Sequence, residues 1–282
     1  MAQHRTMSTL LNAPDSKVLF EQHSPHVFEF KLNQNKTLNS LDSDMVHLLL
    51  GQLNKWSKEP SNPRIALISG TGGKAFCAGG DIVSLYHANA GKPGTDPKVK
   101  ASFFADEYLA DYALTTMKPL QISIWNGIVM GGGVGVSCHA PIRVATDNTV
   151  YAMPETGIGF FTDVGGSYFL SRVKNNISLG LFLGITGHRL KAKDLVQWGV
   201  ATHFVPADKL PSLYSDLAQK VNQNSSDKDI EAIVNGHSDS TAGDAPIANL
   251  DLINKLFSAS GSVHDLVKNL EAHDSEFAKS TL

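Results

Sequence analysis

A short apolar, glycine-rich segment near the middle of the chain keeps two carboxylates, Glu155 and Asp163, eight residues apart. Burying a carboxylate without a partner costs on the order of 2 to 7 kcal/mol. We therefore interpret the segment as a candidate site for acid–base or nucleophilic chemistry, which uses carboxyl groups held in apolar surroundings. The residues alone leave a structural alternative open, in which Glu155 caps a helix end or pairs with a nearby arginine.

Two glycine-rich turns, Gly79-Gly80 and Gly131–Gly133, each bring a backbone without side chains to the predicted start of a helix. The first amide N–H groups of a helix lack intrahelical partners and carry partial positive charge. Two such amides that converge on one carbonyl oxygen form an oxyanion hole, and each contributes roughly 3 kcal/mol in a transition state. Taken singly, each turn is also compatible with tight packing. The GxGxxG dinucleotide motif follows neither predicted strand.

Composition narrows the class of protein. The 282 residues are 42% hydrophobic and 18% charged, as in an ordinary globular protein with a large core. The net charge of -3 gives no basic field for nucleic acid, and no apolar run approaches the roughly 18 residues of a membrane span. The histidines show no HxxxH spacing and the two cysteines no CxxC spacing, so no metal site is expected. Cys77 and Cys138 are expected to be small buried hydrophobes in a reducing compartment.

Hydrophobic periodicity predicts strands that alternate with helices, often joined by a glycine turn, which favours an α/β fold. The predicted strands are Val27–Leu32, Ile65–Ser69, Leu120–Trp125, Ile142–Ala145, Val150–Met153 and Ala201–Val205. The predicted helices are Leu41–Lys58, a helix from about Asp81 to Ala90, a longer one that ends at Met117, Gly131–His139 and Val164–Leu170. The Pro- and Gly-containing segment Gly91–Lys98 is predicted to be a mobile surface loop.

The chain divides into three predicted parts. Residues 1–17 form a flexible N-terminus, whose composition is compatible with a weak mitochondrial transit peptide or with a frayed end. Residues 18–210 form the core. Residues 211–282 form a helical C-terminal segment with polar linkers, and its last predicted helices lie around Ile247–Phe257 and Val263–Leu270.

Three blocks together resemble the crotonase superfamily. They are Lys74–Asp81 (KAFCAGGD), Gly127–Gly135 (GIVMGGGVG) and Met153–Glu155 (MPE), and their order and spacing match. The likeness extends from about Val18 to at least Leu210. It implies a ClpP/crotonase-like spiral of ββα units with an appended C-terminal helical segment.

The resemblance also implies that the chain binds an acyl-coenzyme A thioester. Coenzyme A is then part of the substrate, and no separate cofactor is expected. In such proteins the thioester oxygen lies between two backbone amides, which by motif position are those of Gly80 and Gly132.

The acids distinguish branches of the superfamily. Gly135 stands where hydratases of the family carry one glutamate, and Glu155 fills the place of the other. Glu107 within FFADEY and Asp163 within FTDVGG resemble the 3-hydroxyisobutyryl-CoA hydrolase branch, which works in valine breakdown. That resemblance implies that Glu107, Gly132, Glu155 and Asp163 contact the acyl group or act on it. It further implies that the branch is longer than this sequence at the C-terminal end.

The implied activity is hydrolysis of the thioester, with Glu155 as nucleophile or as the base that activates water, and Asp163 orienting the water or a substrate hydroxyl. Two structural alternatives stay open, because Glu107 could lie on a solvated helix face and Asp163 could be a helix N-cap. A hydratase or isomerase, or a non-catalytic crotonase-fold subunit of a larger assembly, are the alternative functions. The expected partner is an acyl-CoA, with neither nucleic acid nor membrane, and a homo-oligomer is compatible. The expected location is the mitochondrial matrix, or otherwise the cytoplasm.

Overall fold

The chain forms two β-sheets, with helices on both sides of the larger one. A computed structural model describes residues 8–58, 62–93, 97–258 and 261–282. The strands are β1 (Thr9–Leu10), β2 (Val18–Ser24), β3 (Val27–Leu32), β4 (Ile65–Gly70), β5 (Ala75–Cys77), β6 (Leu120–Trp125), β7 (Ile128–Met130), β8 (Ile142–Ala145), β9 (Val150–Ala152), β10 (Leu190–Lys191) and β11 (His203–Phe204). The helices are α1 (Ser43–Lys58), α2 (Ile82–Asn89), α3 (Pro97–Thr116), α4 (Gly132–Cys138), α5 (Gly166–Leu170), α6 (Ile177–Thr186), α7 (Asp194–Gln197), α8 (Leu210–Lys220), α9 (Asp227–Asn235), α10 (Leu250–Leu256), α11 (Val263–Ala272) and α12 (Glu276–Thr281).

The order of strands shows a repeated ββα unit. The larger sheet has the order β1-β2-β3-β4-β6-β8-β11, and the smaller sheet has the order β10-β9-β7-β5. Each of β4, β6 and β8 lies in the larger sheet, and the strand that follows it in the chain lies in the smaller one. A helix then follows each of these second strands. The predicted spiral of ββα units is therefore confirmed.

Both faces of the larger sheet are buried, as expected for parallel strands covered by helices. Side chains alternate between the faces of a strand, so Ile65 and Leu67 of β4 join one apolar cluster and Ala66 and Ile68 join the other. Helices α8 and α9 cover the first cluster, and α10, α11 and α12 each contribute a buried side chain to the second. The C-terminal segment is thus helical as predicted, and its helices complete the two cores shared with the rest of the chain.

The smaller sheet determines where the candidate site lies. Its neighbouring strands β5, β7 and β9 are parallel, so their carboxyl ends meet at one edge. The two glycine-rich turns follow β5 and β7, and Glu155 follows β9 in a single 3-10 turn, Glu155–Ile158. Crevices outside the carboxyl ends of parallel strands are where α/β proteins bind ligands. The three sequence blocks are therefore brought to one place by the register of three short strands.

Most predicted elements are confirmed, and the differences are local. Val27–Leu32, Leu120–Trp125 and Ile142–Ala145 are strands with the predicted bounds. Helix α3 begins at Pro97, within the predicted loop, of which residues 94–96 lie outside the described residues.

In the predicted flexible N-terminus, β1 pairs with β2, while residues 1–7 lie outside the described residues. Cys77 and Cys138 are both free and buried, as predicted. Among the helices that the structure describes, none is both long and apolar enough to cross a membrane.

Candidate active site

The two glycine turns approach each other closely, and among the described residues the amides of Gly80 and Gly132 donate no backbone hydrogen bond outside the helices and strands. In a parallel bridge Leu41 bonds to both neighbours of Gly80: its N–H donates to the Gly79 carbonyl (2.8 Å), and its carbonyl accepts from the Asp81 N–H (2.7 Å). The Gly80 N–H therefore takes no part in this bridge. It lies 3.3 Å from the position that a β-carbon on Gly132 would take.

Gly132 is the first residue of α4, so its amide has no intrahelical partner. The residue before it, Gly131, has a φ of +49° and a ψ of -123°, a backbone conformation that L side chains rarely adopt. The geometry thus places two glycine amides side by side at the edge of the smaller sheet.

Glu155 lies beside the second glycine turn. Its side chain is 6% exposed, and in the described part of the chain neither carboxyl oxygen has a hydrogen-bond partner. Oε1 lies 3.2 Å from the position that a β-carbon on Gly131 would take. Among the described residues no arginine pairs with Glu155 and its oxygens cap no helix end, so both forms of the structural alternative are wrong. The predicted catalytic carboxyl therefore stands unpaired next to the candidate oxyanion hole.

Two further carboxyls, Glu107 and Asp111, lie one turn apart on α3 and face two glycines one turn apart on α4. Glu107 Oε1 occupies the space where a β-carbon on Gly132 would be, and the Asp111 oxygens lie 2.9 and 3.0 Å from the β-carbon position of Gly135. Glu107 is 2% exposed and Asp111 6% exposed. Placing Glu107 on a solvated helix face is therefore wrong. Glu107 Oε1 and both Asp111 oxygens lack a hydrogen-bond partner among the described residues.

Asp163 reaches the same region from the loop before α5. Its Oδ2 accepts a hydrogen bond of 2.6 Å from the Tyr108 hydroxyl. Helix α5 begins only after Gly165, and no side chain caps it, so the N-cap alternative for Asp163 is wrong. Helix α5 starts two residues later than predicted because Val164 and Gly165 both have positive φ, +46° and +77°. A β-branched residue at positive φ is uncommon and costs on the order of 1 to 3 kcal/mol, a strain typical of functional loops.

The pKa values of the site carboxyls are raised because these groups are buried without counter-ions. Burial, followed by the charges of Asp163 and Glu155, raises the pKa of Glu107 to about 8. Burial, followed by the charges of Glu107 and Asp163, raises the pKa of Asp111 to about 9. Burial also raises the pKa of Glu155 to about 7, with a further contribution from the charge of Asp163. At pH 7 Glu107 and Asp111 hold protons and can donate hydrogen bonds, whereas Glu155 is about half ionised and can accept a proton.

Exposed aromatic side chains lie next to the carboxyls. The rings of Phe104 and Phe160 stack with centroids 5.6 Å apart, and Phe160 stacks on Phe161 at 4.4 Å. Phe104 is 41% exposed and Phe161 62% exposed. Phe104 is on the same helix as Glu107, and Phe161 is two residues before Asp163. The carboxyl cluster therefore has an apolar rim.

The structure brings together every residue predicted for the site: Gly80, Glu107, Gly132, Glu155 and Asp163. It adds Asp111 and Tyr108, which the sequence analysis did not assign. Asp111 is four residues after Glu107 on a helix, and that spacing was a signal that both carboxyls share one face. Only the packing of the two helices shows that a second glycine of α4, Gly135, lies opposite Asp111.

Two sheets joined by ββα units, with paired glycine amides at the strand ends, define the crotonase class of proteins. The enoyl-CoA hydratase/isomerase family model matches residues 27–282. The chain belongs to this family.

Among solved structures, a carnitinyl-CoA dehydratase from Mycobacterium thermoresistibile is similar with a TM-score of 0.79 and 33% identity, over 95% of this chain and 74% of that one. An enoyl-CoA hydratase from Rhodobacter sphaeroides 2.4.1 is similar with a TM-score of 0.76 and 29% identity, over 95% and 73%.

The similar curated proteins point to one branch. The 3-hydroxyisobutyryl-CoA hydrolase, mitochondrial, of Xenopus tropicalis is 45% identical over 252 residues, which cover 88% of this chain and 63% of the relative. The protein of the same name from Homo sapiens is 38% identical over 280 residues, which cover 98% and 69%. The chain thus spans just under two thirds of the length of the first of these relatives.

Proposed function

We propose that this chain hydrolyses the thioester of 3-hydroxyisobutyryl-CoA to 3-hydroxyisobutyrate and coenzyme A, a step of valine catabolism. The observation that carries the proposal is Glu155, a buried carboxyl with two unpartnered oxygens beside the paired glycine amides. The names of the similar curated proteins support the choice of substrate.

The amides of Gly80 and Gly132 would bind the thioester oxygen. As the carbonyl carbon becomes tetrahedral, negative charge develops on this oxygen. Two N–H groups that are already oriented stabilise that charge, and loss of one such donor typically costs about 10² to 10³ in turnover. Because both donors belong to glycines, no side chain stands between the substrate and the backbone.

Glu155 would supply the second half of the chemistry by one of two routes. As a general base, it takes a proton from water, the resulting hydroxide adds to the carbonyl carbon, and the C–S bond breaks. The proton held by Glu155 then neutralises the departing thiolate. As a nucleophile, Glu155 adds to the carbonyl itself, releases the thiolate and forms a mixed anhydride that water hydrolyses. A pKa of about 7 suits the general base at neutral pH.

The other carboxyls would position the acyl group. Glu107 is protonated at pH 7 and next to Gly132, so it can donate a hydrogen bond to an oxygen of the bound acyl group. Asp163 is held by Tyr108 and can accept a hydrogen bond from the substrate hydroxyl or from the attacking water. A 3-hydroxyacyl group offers both partners, since its carbonyl oxygen accepts a hydrogen bond and its hydroxyl donates one.

A hydratase or isomerase is the second candidate within the family. It is disfavoured because Gly135 carries no carboxyl, and the space a side chain there would need is taken by Val164, whose Cβ lies 2.5 Å from the β-carbon position, and by Asp111. A non-catalytic subunit is disfavoured by the number of buried, unpaired carboxyls, which such a subunit would have no reason to keep. The relatives' names state a mitochondrial location for them, and a mitochondrial location of this chain, in the matrix, belongs to the same proposal, as does a homo-oligomeric state.

The test is the release of free thiol from 3-hydroxyisobutyryl-CoA by the wild type and by Glu155→Gln. We expect release by the wild type and a loss of at least about 100-fold in the variant. Glu271→Gln, which removes an exposed glutamate far along the chain, is the matched control and should retain full turnover. Thiol release that is unchanged in Glu155→Gln would refute the role of Glu155. An absorbance change of an enoyl-CoA without thiol release would favour the hydratase, and neither reaction from folded protein would favour the non-catalytic subunit.

A further inference from the structure

A cavity of about 240 Å³ lies where the end of α4 meets α5. No residue of the candidate active site lines it. Its lining includes two arginines, Arg143 and Arg172, together with His139 and the aromatic rings of Tyr168 and Phe169. None of its lining residues is acidic.

The guanidinium of Arg143 is held in place by neutral groups. Its Nε donates to the Val200 carbonyl and its Nη1 to the Ala140 carbonyl, both at 2.7 Å, and it lies 5.5 Å from the centre of the Phe169 ring. These carbonyls orient the guanidinium and leave its charge unneutralised. Of its five N–H donors, they use two. Burial lowers the pKa of Arg143, because no carboxylate offsets the loss of hydration.

The guanidinium of Arg172 is also fixed without a counter-ion. It lies 3.6 Å from the centre of the Tyr168 ring, and its Nη1 donates to the Tyr168 carbonyl (2.8 Å) and the Ser171 hydroxyl (3.1 Å). The stem of Lys174 runs over Gly199, which lines the same cavity, with Cγ 3.1 Å from the β-carbon position.

The positive charge around this cavity has no partner within the described residues. Arg143, Arg172 and Lys174 form no ion pair there, whereas other cations of the fold do pair with a carboxylate within 4 Å, as Lys31 does with Glu29 and Lys193 with Asp239. The whole chain has a net charge of -3, so an acid-free group of three cations is not a consequence of composition. Fixed, uncompensated guanidinium groups are a receptor for anions.

We propose that this cavity binds a small oxyanion, either phosphate or a short carboxylate. A cavity of about 240 Å³ holds such an ion with a few waters. It is smaller than the roughly 300 to 1,000 Å³ of sites for larger organic ligands, which sets it apart from a site for a whole coenzyme A. The planar guanidinium fork matches the paired oxygens of a carboxylate or phosphate.

The cavity is separate from the carboxyl cluster and yet touches the loop that bears Asp163. The ring of His139 lines the cavity, and its Nε2 lies 2.5 Å from the β-carbon position of Gly165. An anion bound here would therefore be one side chain away from the strained turn that holds Asp163.

The test is calorimetric titration of the purified chain with phosphate and, separately, with acetate, in chloride buffers of equal ionic strength and with excess free coenzyme A present. We expect saturable binding of at least one of the two anions and a rise of the melting temperature with its concentration. Binding of phosphate alone or of acetate alone identifies which anion the site prefers. No binding beyond the chloride control, or binding that coenzyme A abolishes, overturns the proposal.

Variants locate the site. Arg172→Gln should weaken binding at least tenfold, whereas Arg189→Gln, which removes an exposed arginine outside the cavity lining, should bind as the wild type does. Lys174→Gln provides a second variant if Arg172→Gln fails to fold, and it should weaken binding at least threefold. Unchanged affinity in a folded Arg172→Gln, or in Lys174→Gln where the first does not fold, overturns the proposal.

Discussion

Two groups of buried carboxyls in this fold have opposite surroundings. Glu29 on β3 is 1% exposed, yet each of its oxygens is paired: Oε1 accepts from the hydroxyls of Ser69 and Tyr214, and Oε2 contacts His23 (2.8 Å) and Lys31 (3.2 Å). Glu107, Asp111 and Glu155 of the candidate site are also buried, and at least one oxygen of each lacks a partner among the described residues. The carboxyl of Glu29 thus joins elements of the fold, whereas the carboxyls of the candidate site remain available to a ligand.

The pKa values express this difference with opposite signs. Burial opposes the ionisation of Glu29, but the hydrogen bond from His23 and the charge of Lys31 outweigh it and lower the pKa to about 2. The pKa values of Glu107, Asp111 and Glu155 are raised. A buried carboxyl whose oxygens are all paired therefore indicates a role in the stability of the fold. A buried carboxyl without partners indicates a functional site.

The largest effect should come from breaking the paired group. Glu29→Gln breaks the buried ion pair with Lys31, which among the described residues keeps only its pair with Glu21, and it should lower the free energy of unfolding by about 3 to 5 kcal/mol. Urea denaturation monitored by fluorescence measures this loss, with Glu271→Gln as the exposed control. A loss below about 1 kcal/mol would show that the Glu29 network does not stabilise the fold.

An effect of intermediate size for each pH unit should appear in the pH dependence of stability. An acid whose pKa is higher in the folded state keeps its proton longer there, so for Asp111 the free energy of unfolding falls as pH rises from about 4 to about 9. For Glu29 the sign is reversed, and its contribution is lost as pH falls from about 4 towards about 2.

Asp111→Asn should accordingly flatten the decline between pH 5 and pH 9, by about 1.4 kcal/mol for each pH unit in that range. Urea titrations at pH 5, 7 and 9 on both proteins measure the difference. Parallel curves for the two proteins would mean that Asp111 titrates normally and that the contrast with Glu29 does not extend to it.

The smallest effect should come from Tyr108→Phe. The Tyr108 hydroxyl donates to Asp163 at 2.6 Å, but the side chain is 39% exposed, so its loss should cost about 1 kcal/mol or less of stability. Without this donor the pKa of Asp163 should rise, and the acid limb of the pH profile for thiol release should move upward. Tyr112→Phe, one turn further along α3 and 67% exposed, is the control that should leave the profile unchanged. Identical profiles for both variants would remove Tyr108 from the site.

The sequence predicted the elements that have a strong local signal. Leu120–Trp125 alternates apolar residues with Gln121 and Ser123 just after Pro119, and it forms a strand with both faces buried. The three-residue strands β5 and β7 were missed because they are hidden among glycines and are too short to show a period.

The residues of the candidate site likewise divide into those that the sequence predicted and those that it could not predict. Glu107, Glu155 and Asp163 stand in recognisable blocks, whereas the role of Asp111 depends on which residue of α4 lies opposite it. Likewise, Val164 at positive φ could not be expected from its type, because a β-branched residue favours extended or helical backbone.

The pairing of two carboxyls with two glycines also restricts how the molecule can move. Glu107 and Asp111 are one turn apart on α3, and each lies where only a glycine of α4 leaves room. A shift of α3 along α4 by less than a full turn, about 5.4 Å, would drive a carboxyl towards a larger side chain such as that of Val136, which lies on the same face of α4 as Gly132 and Gly135. Opening the site to a substrate therefore requires the two helices to separate or to rotate, because axial sliding is sterically blocked.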